Sequence, residues 1–92
     1  MLYEELHEKI MKIAQDVISR DDMKKRSIEL KEIFISKSAR PLLRVYLSKE
    51  GGIGISDLAY FHKEFEALLD AEDLIKSSYT LEVSSPGEDK KR

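Results

Sequence analysis

The sequence predicts an α+β domain of two layers, with elements in the order α-β-β-α-β and two helices on one face of a three-stranded sheet. Three observations predict it. Apolar residues recur at three- and four-residue steps in two segments, around residues 3–17 and 58–69. Three shorter segments alternate apolar and polar residues as half-buried strands do. At 92 residues the chain is too short for two hydrophobic cores.

The first helix is expected from Leu2 to about Ser19, with Tyr3, Leu6, Ile10, Ile13, Ala14 and Val17 on one stripe and Glu4, Glu5 and Glu8 at its positive end. Residues 20–26 have no sustained apolar period and read as a polar connection. The first strand, Ser27 to Lys37, carries a phase conflict. Ile28 and Leu30 share one parity and Ile33 and Ile35 the other, so a regular strand would send the two pairs to opposite faces. A bulge near Lys31 and Glu32 restores the phase. In the second strand, Leu42 to Ser48, Leu43, Val45 and Leu47 alternate with Arg44, Tyr46 and Ser48; Pro41 sits at or just before its start. These two strands form an antiparallel hairpin. The first, with its continuous Ile33-Phe34-Ile35 run, is expected in the middle of the sheet.

Residues 50–54, rich in glycine, form a turn. Ser56 is a suitable N-cap and Asp57 suits the first turn of the second helix, which runs to about Asp70 with Leu58, Phe61, Phe65, Leu68 and Leu69 inward. The last strand, Tyr79 to Ser84, turns Tyr79, Leu81 and Val83 one way and Thr80, Glu82 and Ser84 the other. Pro86-Gly87 suits the centre of a type II turn, and residues 88–92 read as a polar tail.

The chemistry of catalysis is missing. The chain has no cysteine, which removes disulfides, thiol catalysis and thiolate metal sites. Gly51, Gly52 and Gly54 lack the Gly-Lys-Ser/Thr ending of a phosphate loop, and Asp57 would repel a phosphate there. His7 and His62 each stand alone, and neither has a spacing to acids that matches a metal site. Ser84 and Ser85 have no adjacent base. Asp70, Glu72 and Asp73 lack calcium-loop spacing. The reading is of a non-enzymatic, cytoplasmic domain with no cofactor, no metal, no membrane span and no small-molecule substrate.

Charge is unevenly spread although the net charge is only −2. Residues 20–49 hold nine bases against four acids, and residues 50–89 hold ten acids against two bases. Such polarity steers charged partners to one side. With both helices on one face, the other face of the sheet is open and carries Phe34, Arg44, Tyr46, Thr80, Glu82 and Ser84. Two aromatics and an arginine suit either stacking on nucleobases or anchoring a protein, or they simply shield the sheet. Glu82 opposes phosphate binding there. The basic set Lys37, Arg40, Arg44 and Lys49 belongs to the hairpin and suits phosphates. The acidic set Glu64, Glu66, Asp70, Glu72 and Asp73 suits a basic protein or is a solvated helix face.

One string is more specific than any of these. Tyr79-Thr-Leu-Glu-Val-Ser-Ser-Pro-Gly87 resembles the junction between the two domains of the RimP family, factors that assist maturation of the small ribosomal subunit. Other pieces follow in the family's order: Pro41-Leu-Leu-Arg-Val-Tyr-Leu47 is similar to its hairpin strand and Lys49-Glu-Gly-Gly52 to the turn after it. Ile55-Ser-Asp57 and Phe65-Glu-Ala-Leu-Leu-Asp70 are similar to the ends of its second helix. The likeness covers roughly residues 27–87. It implies that residues 1–87 are an N-terminal α/β domain and 88–92 a shortened linker. The Sm-like barrel that follows in the family has no counterpart in these 92 residues, and Glu88, Lys90, Lys91 and Arg92 depart from the family's continuation. The chain is an excised domain, a shortened relative or a divergent stand-alone protein. The resemblance further implies a non-catalytic assembly role, with the small ribosomal subunit, a basic ribosomal protein near the decoding centre and ribosomal RNA as partners. The contact surface expected for these partners comprises Phe34, Lys37, Arg40, Arg44, Tyr46, Lys49, Glu82, Ser84, Ser85, Pro86 and Gly87. A different class of reading is an interaction module without a ribosomal role, which pairs with itself or another protein through the open sheet or the Ser84–Gly87 end.

Overall fold

The structure, a computed structural model, describes residues 3–86. Helix α1 (Tyr3–Ile18) is followed by a short helix α2 (Asp21–Lys25), strands β1 (Ile28–Ile35) and β2 (Leu42–Lys49), helix α3 (Ile55–Glu72) and strand β3 (Thr80–Ser84). The expected start of α1 at Leu2 and the turn at Pro86-Gly87 extend outside the described residues. The α+β class holds, but the structure has three helices where two were expected. Residues 21–25, read as a polar connection, close one helical turn because Met23 is fully buried in the core while the charged residues around it stay at the surface.

The sheet is mixed, in the order β1-β2-β3. β1 pairs antiparallel with β2, and β2 pairs parallel with β3. The bulge expected in β1 is present: Leu30 faces Leu47 and Glu32 faces Tyr46, leaving Lys31 without a partner. It turns Ile28, Ile33 and Ile35 together into the core and sends Phe34 outward, where 46% of its surface is exposed.

The central strand is β2, not β1 as expected. In β2 the inward residues Leu43, Val45 and Leu47 are fully buried, and even its outward residues are half-buried because strands flank both sides. The Ile33-Phe34-Ile35 run signals one buried face and one exposed aromatic. A run of three apolar residues does not separate these cases, because it is too short to show burial on both faces.

The core lies between the sheet and the helices. Ile10, Ala14 and Val17 come from α1 and Phe61, Phe65 and Leu69 from α3, with the two phenylalanine rings stacked at 5.1 Å. Helix α1 is fastened to β1 as well as packed on the core: the Tyr3 hydroxyl donates to the Ile35 carbonyl at 2.9 Å, and His7 Nε2 donates to the Ile33 carbonyl at 3.1 Å. At the turn after β2, Gly51 and Gly52 have φ of 86° and 106°, angles that favour glycine.

The bulge makes a specific prediction. Deleting Lys31 leaves Leu30 opposite Leu47 and Glu32 opposite Tyr46 in one regular ladder, so the variant should keep its fold, with stability within about 1 kcal/mol of the parent. Deleting Phe34 instead turns Ile35 out of the core and should cost about 2–5 kcal/mol. Urea denaturation of the two deletions checks both outcomes.

Candidate partner-binding surface

The pleat organises the open face into cross-strand rows. Phe34, Arg44 and Glu82 form one row, and Glu32, Tyr46 and Ser84 the next. Arg44 reaches across to Glu82 through Nε at 2.9 Å and Nη2 at 2.8 Å, both on Oε1. This pair neutralises the centre of the face. Arg44 is thereby engaged rather than free for phosphate, and Phe34 and the half-buried Tyr46 flank the pair, with the exposed Glu32 beside Tyr46 on β1.

The basic residues of the hairpin do not form one patch. Lys37 and Arg40 lie at the loop end, with Lys37 Nζ 4.7 Å from the Tyr3 ring centre and Arg40 exposed. Lys49 lies at the other end of β2, about 23 Å away along an eight-residue strand. It points to the helical side, where its Nζ donates to Asp57 Oδ2 at 3.3 Å. Lys49 is therefore paired within the fold, although its side chain stays 31% exposed. Ser84 stands beside Tyr46 on the open face. Ser85, by contrast, is buried at 8% exposure, Pro86 is half-buried, and Gly87 lies outside the described residues.

The acidic series is also dispersed. Glu64 takes Nη1 of Arg20 at 2.7 Å, and Glu66 lies 3.8 Å from His62 Nδ1. Asp70 accepts from the Tyr79 hydroxyl at 3.1 Å and Asp73 from Lys76 at 2.8 Å. Burial, followed by the Asp70 bond, pushes the Tyr79 hydroxyl up to about 12.

Sequence reading missed the polar seam that fastens residues 20–26 onto α3. Arg20 meets Glu64, the Tyr60 hydroxyl donates to Asp22, and Arg26 donates to Asp57 while its guanidinium lies 4.3 Å over the Tyr60 ring. Asp57, Tyr60 and Glu64 occupy one side of α3 at three- and four-residue steps, which is the only trace of the seam in the sequence. The Asp22 carboxyl is held low by its Tyr60 bond, and Tyr60 is raised by the same bond.

Asp57 is the centre of that seam and is only 6% exposed. Its Oδ1 accepts from Arg26 at 2.8 Å, and its Oδ2 accepts from Lys49 and from the Gly54 backbone N–H, each at 3.3 Å. Burial pushes the carboxyl up, but Arg26, the Gly54 amide and Lys49 together outweigh it and hold the group below its ordinary 3.8. The N-cap is accordingly Gly54 rather than the expected Ser56: Asp57 at the third helical position closes back on the Gly54 amide, which starts the helix at Ile55.

A family model described as RimP N-terminal domain matches residues 18–89, from the end of α1 through β3. A solved structure of CzrB, a candidate zinc transporter, in its zinc form has a TM-score of 0.59 to this chain at 24% sequence identity, covering 99% of this chain and 96% of that one. That likeness is one of fold. Among the described residues no three metal-ligating side chains converge.

Replacing Asp57 with asparagine leaves Arg26 and Lys49 without a countercharge, but both are partly solvated. The expected loss is about 1–3 kcal/mol, below the cost of breaking a fully buried pair. Because the folded carboxyl titrates below the unfolded one, the parent's Asp57 contribution is complete above pH 3.8 and disappears as pH falls through the folded value. Chemical denaturation of both proteins across acid pH should show the difference between them shrinking below that point.

Proposed function

The chain belongs to the RimP N-terminal domain family, and from that premise we propose that it is a non-catalytic assembly-factor domain that docks on the maturing small ribosomal subunit. The family is one of ribosome maturation factors without catalytic activity, so ribosomal partners follow from membership. The observation that carries the proposal is the family match from residue 18 to residue 89. Residues 1–87 act as the domain, 88–92 as the start of a linker, and the setting is the cytoplasm.

The surface favours a division of labour. The Phe34–Tyr46 platform, neutral at its centre through the Arg44–Glu82 pair, suits an apolar or aromatic contact with a ribosomal protein near the decoding centre or with an unstacked base. Lys37 and Arg40 at the hairpin loop suit the phosphates of ribosomal RNA. Lys49, turned to Asp57, and Ser85, buried, support the fold in this reading rather than touching a partner.

Co-sedimentation with purified immature small subunits tests the proposal. Saturable binding should weaken roughly tenfold between about 50 and 200 mM salt, as two phosphate contacts require. Replacing Lys37 and Arg40 with alanine should flatten that dependence, and Phe34→Ala should weaken binding at every salt concentration. A folded chain that never enters the subunit fraction would refute the docking role.

A further inference from the structure

The two outer edges of the sheet are finished differently. On β1, the carbonyls of Ile33 and Ile35 are taken by His7 and Tyr3 of α1. The bulge at Lys31 and the exposed charges of Glu29, Lys31 and Glu32 further discourage pairing there. On β3 the arrangement is open. Thr80 gives its N–H to the Pro41 carbonyl at 3.0 Å, so strand alternation turns the peptide groups of Leu81 and Val83 away from β2. Among the described residues no strand pairs with that edge.

Beside the open edge runs a shallow groove lined by Ile55, Leu58, Ala59, His62 and Val83. Ile55 is 81% exposed, an unusual position for a large aliphatic side chain on a helix whose other large apolar residues turn inward. The same side of α3 continues through Glu66 and Asp70. The Tyr79–Asp70 hydrogen bond fixes this side of the helix along β3. Tyr79 is an uncharged donor and brings no positive charge to Asp70. The groove is therefore apolar at the start of α3 and acidic farther along.

We propose that the β3 edge and this groove take an extended basic peptide as a fourth strand. The outward peptide groups of Leu81 and Val83 supply the ladder; of the peptide's alternate side chains that face α3, apolar ones at one end cover Ile55, Leu58 and Val83 and basic ones at the other end meet Glu66 and Asp70. Charge decides between occupants. A second copy pairing β3 with β3 would bring two acidic α3 flanks together, whereas a basic strand is complementary to the one present. That the peptide comes from a ribosomal protein rests on the assembly-factor reading; the chemistry of the groove does not.

The test uses the isotope-labelled chain and a seven-residue peptide whose odd positions are valine, valine, lysine and lysine with threonine between them, followed by amide NMR shifts. Controls are a peptide of the same composition with its valines consecutive and one with glutamate in place of each lysine. The basic peptide with separated valines should shift the Leu81 and Val83 amides and those around Ile55, saturably. Ile55→Ser and Glu66→Lys, both at exposed positions, should each weaken binding roughly tenfold while the fold, read by circular dichroism, is kept. Equal binding of the consecutive-valine peptide, shifts centred on Phe34 and Tyr46, or concentration-dependent shifts of β3 without peptide would each overturn the proposal. Peptide binding at β3 by a chain that fails to sediment with ribosomal subunits would remove the ribosomal reading and leave the groove standing. Sedimentation without peptide binding would do the reverse.

Discussion

A buried carboxylate can be kept in a small domain only if both of its oxygens are hydrogen-bonded, and Asp57 is where this fold meets that demand. Its three donors come from three places in the chain: Arg26 after α2, Lys49 at the end of β2, and the Gly54 amide at the start of α3. One side chain thereby sets the separation of a helix start, a strand end and a connecting turn that are up to 31 residues apart in sequence. The consequences reach the surface. Lys49 is drawn toward α3, and α3 begins two residues earlier than a Ser56 cap would begin it, which leaves Ile55 projecting beside β3.

The same economy explains why the two sides of the sheet differ. On the open face, Arg44 and Glu82 cancel, so the aromatic residues beside them define the character of the platform. On the edges, α1 spends Tyr3 and His7 on covering β1, whereas α3 lies along β3 without covering its outer peptide groups. An uncovered edge is a hazard in a soluble domain unless something limits what can pair with it. Here the limit is electrostatic: the acidic flank of α3 opposes a second copy and admits a basic strand.

Much of this was legible in the sequence where period was the signal. The stripes of α1 and α3, the alternation of β2 and β3, and the bulge at Lys31 all follow from spacing, and the bulge was legible because two pairs of isoleucine and leucine disagreed in phase. The exposure of Phe34 follows from that same argument. What escaped was set by contacts between distant residues. The central place of β2 depends on strand neighbours, which a three-residue apolar run does not report. Helix α2 depends on one methionine reaching the core, and the Gly54 cap depends on a carboxylate three residues ahead of it. Among the candidate site residues, Phe34, Arg44, Tyr46, Glu82 and Ser84 do converge, while Lys49 is paired with Asp57 and Ser85 is buried. Sequence gives the chemistry of a lysine but not which carboxylate it will meet.

The measurement that tests this account most directly is an NMR titration of the Asp57 carboxyl carbon in the folded protein. The account predicts a midpoint below the ordinary 3.8, with the Arg26 and Lys49 side-chain resonances moving at the same pH. A midpoint at or above 3.8, or one to which Arg26 and Lys49 are indifferent, would mean that burial prevails over its partners and that Asp57 does not hold the three segments together.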